Sequence, residues 1–185
     1  TERGKLQIAN LLGCKALDGQ RSYTICGEPC YMSPEKISNL GYDHTADYWA
    51  IGVLVYELLT GRTPFGLHYT NENELFSQIM EWNEEKYTDI RSIDDETNRF
   101  IEALMSSNDR QRLGSGDGVE EIRSHPFLSD IDWDAFINDD GGQSPLLSFA
   151  LDLKKRHEDH GPMEDAEEAD MVHDAFIDTL FTSIF

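Results

Sequence analysis

The sequence predicts a mainly α fold, on three observations. Residues 47–60, A-D-Y-W-A-I-G-V-L-V-Y-E-L-L-T-G with its flanks, are apolar nearly all round. Residues 71–82 and 94–105 each place apolar side chains at helical spacing. Strand-like alternation is confined to one short run near the N-terminus, over residues 5–12.

Taken in order, Leu6 and Ile8 alternate after a turn at Arg3-Gly4, which predicts a short N-terminal strand. Residues 13–19 read as loop, with Asp18-Gly19 as a turn signal. Residues 21–35 follow, R-S-Y-T-I-C-G-E-P-C-Y-M-S-P-E. Gly27, Pro29 and Pro34 interrupt both the helical and the strand period. The prolines also push Glu28 and Ser33 away from the helical region. This predicts an extended, pinned loop. It has hydroxyls open to phosphorylation at one end (Ser22, Tyr23, Thr24) and a buried-acid candidate, Glu35, at the other.

After a turn at residues 41–43, Trp49, Ile51, Val53, Leu54, Val55, Leu58 and Leu59 cover every face of one helix. Such a helix belongs in a core. At about fourteen residues it is too short to span a bilayer. Gly61 is its expected C-cap and Pro64 prevents continuation. Leu75, Phe76, Ile79 and Met80 stripe the next helix, with Asn71 or Asn73 as cap. Phe100, Ile101, Leu104 and Met105 stripe the one after, with Asp94, Asp95 and Glu96 at its dipole-favoured start. A loop over 106–118 leads to a short helix at 119–124 and to His125-Pro126-Phe127, and Asp132-Trp133 closes the compact part. Beyond Phe136 the composition changes. N-D-D-G-G-Q breaks the chain, residues 146–153 form a short apolar patch, and residues 158–170 are acidic enough to stay solvated. Phe176, Leu180, Phe181, Ile184 and Phe185 then share one face of a short amphipathic helix.

Composition excludes several classes of function. With 36 acidic against 15 basic residues the formal net charge is -21, which argues against nucleic acid or an anionic membrane as partner. It suits solubility, or a surface that attracts basic peptides. No run of eighteen apolar residues and no signal-peptide pattern occur. The three cysteines, Cys14, Cys26 and Cys30, have no disulfide-framework spacing, and no second pair or nearby His completes a zinc set around Cys26 and Cys30. A reducing, cytoplasmic compartment is the expectation.

Residues 21–35 resemble the activation segment of a protein kinase, whose usual form is T-x-C-G-T-P-x-Y-x-A-P-E. Further motifs follow in the family's order. D-Y-W-A-I-G resembles the start of the long buried helix of the kinase C-lobe, and L-L-T-G-R-T-P-F resembles its end. R-L-G at Arg112 and H-P-F at His125 are similar to the last helices. T-I-C-G, R-L-G and D-W-D-A-F point within the family to the AGC group, nearest the cyclic-nucleotide-dependent kinases. The resemblance implies a partial kinase domain over residues 1–136 and an AGC-like acidic tail over 137–185. The chain opens in mid-pattern and contains no Gly-rich loop, strand lysine, helix glutamate or H-R-D catalytic loop. The expected main partner is therefore the missing N-lobe, with ATP and Mg²⁺ serving the intact protein, basic proteins or peptides as substrates, and no turnover by this chain alone.

Roles carry over position by position. The resemblance makes Thr24 the activation-loop phosphosite, with Lys15 and Arg21 as cationic partners for its phosphate. Glu35 pairs with Arg112, as a buried carboxylate facing a bidentate guanidinium should. Asp47 supports the catalytic-loop backbone. Ile25, Pro29 and Met32 wall the pocket for the substrate residue after the acceptor hydroxyl, and Glu57 binds a substrate arginine. The residues alone read more plainly, with Glu57 as a solvated helix carboxylate and Ile25 and Met32 as ordinary core. Three departures stand against activity. Asn10-Leu11-Leu12 replaces Asp-Phe-Gly, and a neutral amide is a poorer ligand than carboxylate for Mg²⁺. Glu28 replaces a threonine and Cys30 replaces an acid that helps to read substrate arginine. They motivate two alternatives, a pseudokinase or peptide-binding scaffold and, further off, an independent helical interaction module.

Overall fold

A computed structural model describes residues 11–66, 71–82 and 95–138. They are mainly helical, and an isolated antiparallel bridge between Ser22 and Tyr42 is the only β pairing among them. The unit of residues 12–129 carries helices α1 (Pro34–Ile37), α2 (Thr45–Thr60), α3 (Glu72–Met80), α4 (Asp95–Leu104) and α5 (Val119–Arg123). A six-residue helix, α6 (Trp133–Asn138), lies in a second unit, where the Trp133 and Phe136 rings meet edge to face. The expected N-terminal strand falls mostly outside the described residues, and its last members, Leu11 and Leu12, form a 3-10 turn with Gly13. The apolar and acidic stretches after residue 138 also lie outside them.

Helix α2 starts two residues earlier than its apolar pattern. Asp43 explains why: its carboxylate accepts from the Thr45 backbone N–H at 2.9 Å and from the Thr45 hydroxyl at 2.7 Å. Burial pushes the Asp43 carboxyl up, but the two Thr45 hydrogen bonds outweigh it and hold the group below its usual range. At the other end Gly61 adopts the left-handed conformation (φ 74°) and its N–H reaches the Glu57 carbonyl at 2.8 Å.

Trp49, Val53 and Tyr56 project from α2 into one core with Phe65, Leu75 and Ile79 of α3, Trp82, Ile101 of α4, and Met105. The Trp49 and Phe65 rings stack, and Trp82 meets Phe65 edge to face at 5.4 Å. Gly52 sets the distance between α2 and α4, because a Cβ there would stand 2.6 Å from Met105 Cγ. Another face of α2 is open. Asp47 is exposed, and Ile51 and Leu54, four and seven residues on, are 41% and 42% exposed. So the all-round apolar pattern of α2 conceals one face that the described residues do not cover.

Asn71 caps α3, accepting from the Glu74 N–H at 3.1 Å. The chain after α4 folds back through Gly114 (φ 93°), where a Cβ would be 2.5 Å from the Tyr48 ring. The Gly114 and Gly116 N–H groups both donate to the Glu121 carboxylate at 3.1 Å, which ties this loop to α5.

Candidate functional site

Residues 21–35 cross the helical body as a chain of short, separately anchored pieces. At the first anchor Ser22 and Tyr42 exchange both backbone hydrogen bonds, each 2.8 Å. The Tyr42 phenol donates to the Thr24 carbonyl at 2.7 Å, and the Lys36 ammonium stands 4.7 Å from the centre of the Tyr42 ring. Tyr23 packs on Gly41, where a Cβ would lie 2.8 Å from its ring. The Arg21 guanidinium donates to Asp109, 88 residues away, in a partly buried ion pair. That hydrogen bond holds Arg21 more firmly charged than usual, with Asp109, Asp43 and Glu35 adding attraction. The Thr24 side chain is exposed.

At the second anchor Pro29–Tyr31 form a 3-10 turn with the proline first. The Tyr31 phenol donates to the Glu57 carboxylate of α2. Burial and that carboxylate push the Tyr31 phenol up to about 12. Burial also pushes the neighbouring Cys30 thiol up; Glu28 and Glu57 reinforce this and a hydrogen bond to Thr63 opposes it. Cys30 is therefore held as a thiol, a weak nucleophile. Cys14, Cys26 and Cys30 are all free.

The third anchor is Glu35. Pro34 begins α1 rather than continuing an extended loop, since a proline at the first helical position gives up only an N–H that has no helical partner. Glu35, in the same first turn, receives a fork from Arg112 at 2.7 and 2.9 Å. Arg112 also donates to the Thr45 carbonyl at 2.9 Å and to the Ser106 carbonyl at 3.1 Å, and lies 5.3 Å from the centre of the Trp49 ring. One arginine thus joins the end of the segment, the start of α2 and the loop after α4.

Of the residues named from sequence, Glu35 and Arg112 come together. Glu57 is joined instead by Tyr31, and Arg21 by Asp109. Met32 is buried at 7% exposure and Ile25 is 60% exposed, with Pro29 between these extremes. Lys15 and Asp47 are exposed, and Asn10 lies outside the described residues. Among the described residues no group of three or more His, Cys, Asp or Glu stands together as a metal donor set. Among them, too, no helix is long and apolar enough to cross a membrane. Sequence reasoning missed Asp109 and Tyr42, which carry no motif. It also missed Tyr31 as a partner of Glu57, although that tyrosine stands inside the segment's own pattern.

The protein kinase domain family matches residues 1–128. The chain is 33% identical over 159 residues to a cAMP-dependent protein kinase catalytic subunit 2 of Drosophila melanogaster, covering 82% of this chain and 43% of that protein. It is 39% identical over 113 residues to the serine/threonine-protein kinase gad8 of Schizosaccharomyces pombe, covering 61% of this chain and 19% of that protein. It is 33% identical over 133 residues to a RAC serine/threonine-protein kinase of Drosophila melanogaster, covering 70% and 21%. The chain therefore spans less than half the length of these relatives. A segment pinned by a buried Glu–Arg fork to a helical body, together with these likenesses, makes the chain a member of the protein kinase domain family, within its AGC group.

Proposed function

We propose that this chain is the activation-segment and substrate-docking part of the C-lobe of a serine/threonine protein kinase. In the intact protein, together with an N-lobe and catalytic loop, it serves phosphoryl transfer from ATP to protein hydroxyls. The observation that carries the reading is the buried Glu35–Arg112 fork. It fixes the far end of residues 21–35 on the body while the near end presents Thr24 to solvent. That arrangement suits a segment offered to other proteins. Thr24 is the phosphosite of this reading, with Lys15 and Arg21 as candidate partners of its phosphate. Ile25, Pro29 and Met32 contact the substrate after its acceptor hydroxyl, Glu57 takes a basic residue of the peptide, and Asp47 supports the catalytic loop. Residues 1–136 form the kinase portion and 137–185 its acidic tail, in a cytoplasmic protein. ATP and Mg²⁺ act in the intact enzyme, and the 185 residues alone turn nothing over.

A Mg²⁺-dependent phosphotransfer assay on a basic peptide tests this. The intact protein is expected to transfer phosphate and the isolated chain none. Clear turnover by the 185 residues would sink the second expectation. A second reading, a pseudokinase that docks peptides, is favoured by Asn10 in the metal position and by Glu28 and Cys30 within the segment. It predicts that the intact protein gains no thermal stability from Mg²⁺ and ATP yet still binds basic peptides.

A further inference from the structure

The basic residue nearest Thr24 in sequence within the segment is already committed. Arg21 donates to Asp109, and three carboxylates (Asp109, Asp43 and Glu35) attract it. Beside it, Ser22 and Tyr42 exchange two backbone hydrogen bonds, and the Tyr42 phenol holds the Thr24 carbonyl. None of these contacts uses the Thr24 hydroxyl. An activation loop that depends on phosphate for order needs unpaired cations waiting for it. Here Lys15 is exposed, whereas Arg21 faces an acid supplied by the loop between α4 and α5.

We propose that an acid-paired clamp, Arg21 to Asp109, holds residues 21–24 on the helical body without a phosphate on Thr24. Asp109 occupies the guanidinium that a phosphate would otherwise recruit. Phosphorylation of Thr24 then adds charge to a loop that is already ordered, and gains Arg21 only by displacing Asp109. The clamp is a property of the fold, while its regulatory meaning rests on the reading of residues 21–35 as an activation segment.

Amide hydrogen exchange on the intact protein tests it, read at Ser22 and Tyr42, whose N–H groups are bonded to each other's carbonyls. With Thr24→Ala, both amides are expected to keep the protection they have in protein phosphorylated at Thr24. Adding Asp109→Asn should speed their exchange about fivefold, the scale of a partly exposed ion pair. Amides of α2 facing the core report whether each variant remains folded. If Asp109→Asn loosens those too, the Thr24→Ala protein in about 1 M salt replaces it, because salt screens the pair and leaves the core. Free exchange at Ser22 and Tyr42 until Thr24 is phosphorylated would overturn the clamp. So would indifference of both amides to Asp109→Asn or, where salt replaces it, to salt. Failure of the kinase reading registers in the phosphotransfer assay and leaves these exchange rates unchanged, so the two failures are separable.

Discussion

Two arginine–carboxylate pairs hold the two ends of residues 21–35, and they differ in how far water reaches them. Arg112 is fully buried and Glu35 is 6% exposed, with the guanidinium donating to four oxygens of Glu35, Thr45 and Ser106. Arg21 is 34% exposed and Asp109 18%, and the Arg21 Nε has no partner among the described residues. The buried pair has exchanged all its water for protein, so losing one member leaves a charge with nothing to solvate it. The outer pair can fall back on solvent. The far end of the segment is therefore a structural joint, whereas the near end can be adjusted.

The largest expected effect tests the joint. Arg112→Ala strands the Glu35 carboxylate and should cost about 3–5 kcal/mol of folding stability in chemical denaturation. Replacing both residues with apolar side chains of similar volume should cost much less, which separates the stranded charge from the value of the pair. Next comes the packing that carries the joint. Gly52→Ala pushes a methyl into Met105 and should cost about 1–3 kcal/mol, read as a lower denaturation midpoint at unchanged slope. The outer pair ranks below both. Arg21→Ala should cost about 0.2–1 kcal/mol in low salt, and the difference from wild type should shrink as salt is added. An Arg21→Ala effect as large as that of Arg112→Ala would erase the distinction between the two ends.

The last effect is confined to alkaline solution. A free tyrosine ionises near 10, whereas burial and Glu57 push Tyr31 up to about 12. Between those values the folded state keeps a proton that the unfolded state has lost. The stabilisation is complete below about 10 and disappears as pH rises towards about 12. Tyr31→Phe should flatten that limb of the stability curve and leave the neutral region of its shape unchanged.

The helical body is legible in the sequence because its signals are local. Gly61 ends α2, Asn71 starts α3, and the stripe of α4 faces the core, whereas α3 buries Leu75 and Ile79 of its stripe and leaves Met80, at its last turn, 49% exposed. Two other local signals are ambiguous, because the same residue type serves opposite ends. Pro34 interrupts a helical period and so predicts extended chain, yet at the first position of a helix it opens α1. Asp43 suits a turn, yet its carboxylate also ties down the first residue of α2, Thr45. The open face of α2 is invisible in its pattern, because Ile51 and Leu54 have the same chemistry as the buried Val53. Within the site, the order of the family's motifs is enough to pair Glu35 with Arg112. The pairing of Arg21 with Asp109 spans 88 residues and carries no motif, so it needs coordinates. Tyr31 with Glu57 is hidden differently: either residue alone reads as ordinary, and only their proximity gives them a role.

Position 114 carries a consequence for descent. Its left-handed backbone excludes most side chains, and the Tyr48 ring fills the space where a Cβ would stand. Either constraint would favour glycine, and neither involves phosphate, metal or peptide. A lineage that abandoned phosphotransfer would still be held to glycine here for as long as the fold survived. A glycine at position 114 is thus accounted for by the architecture alone, and its presence carries no information about phosphotransfer.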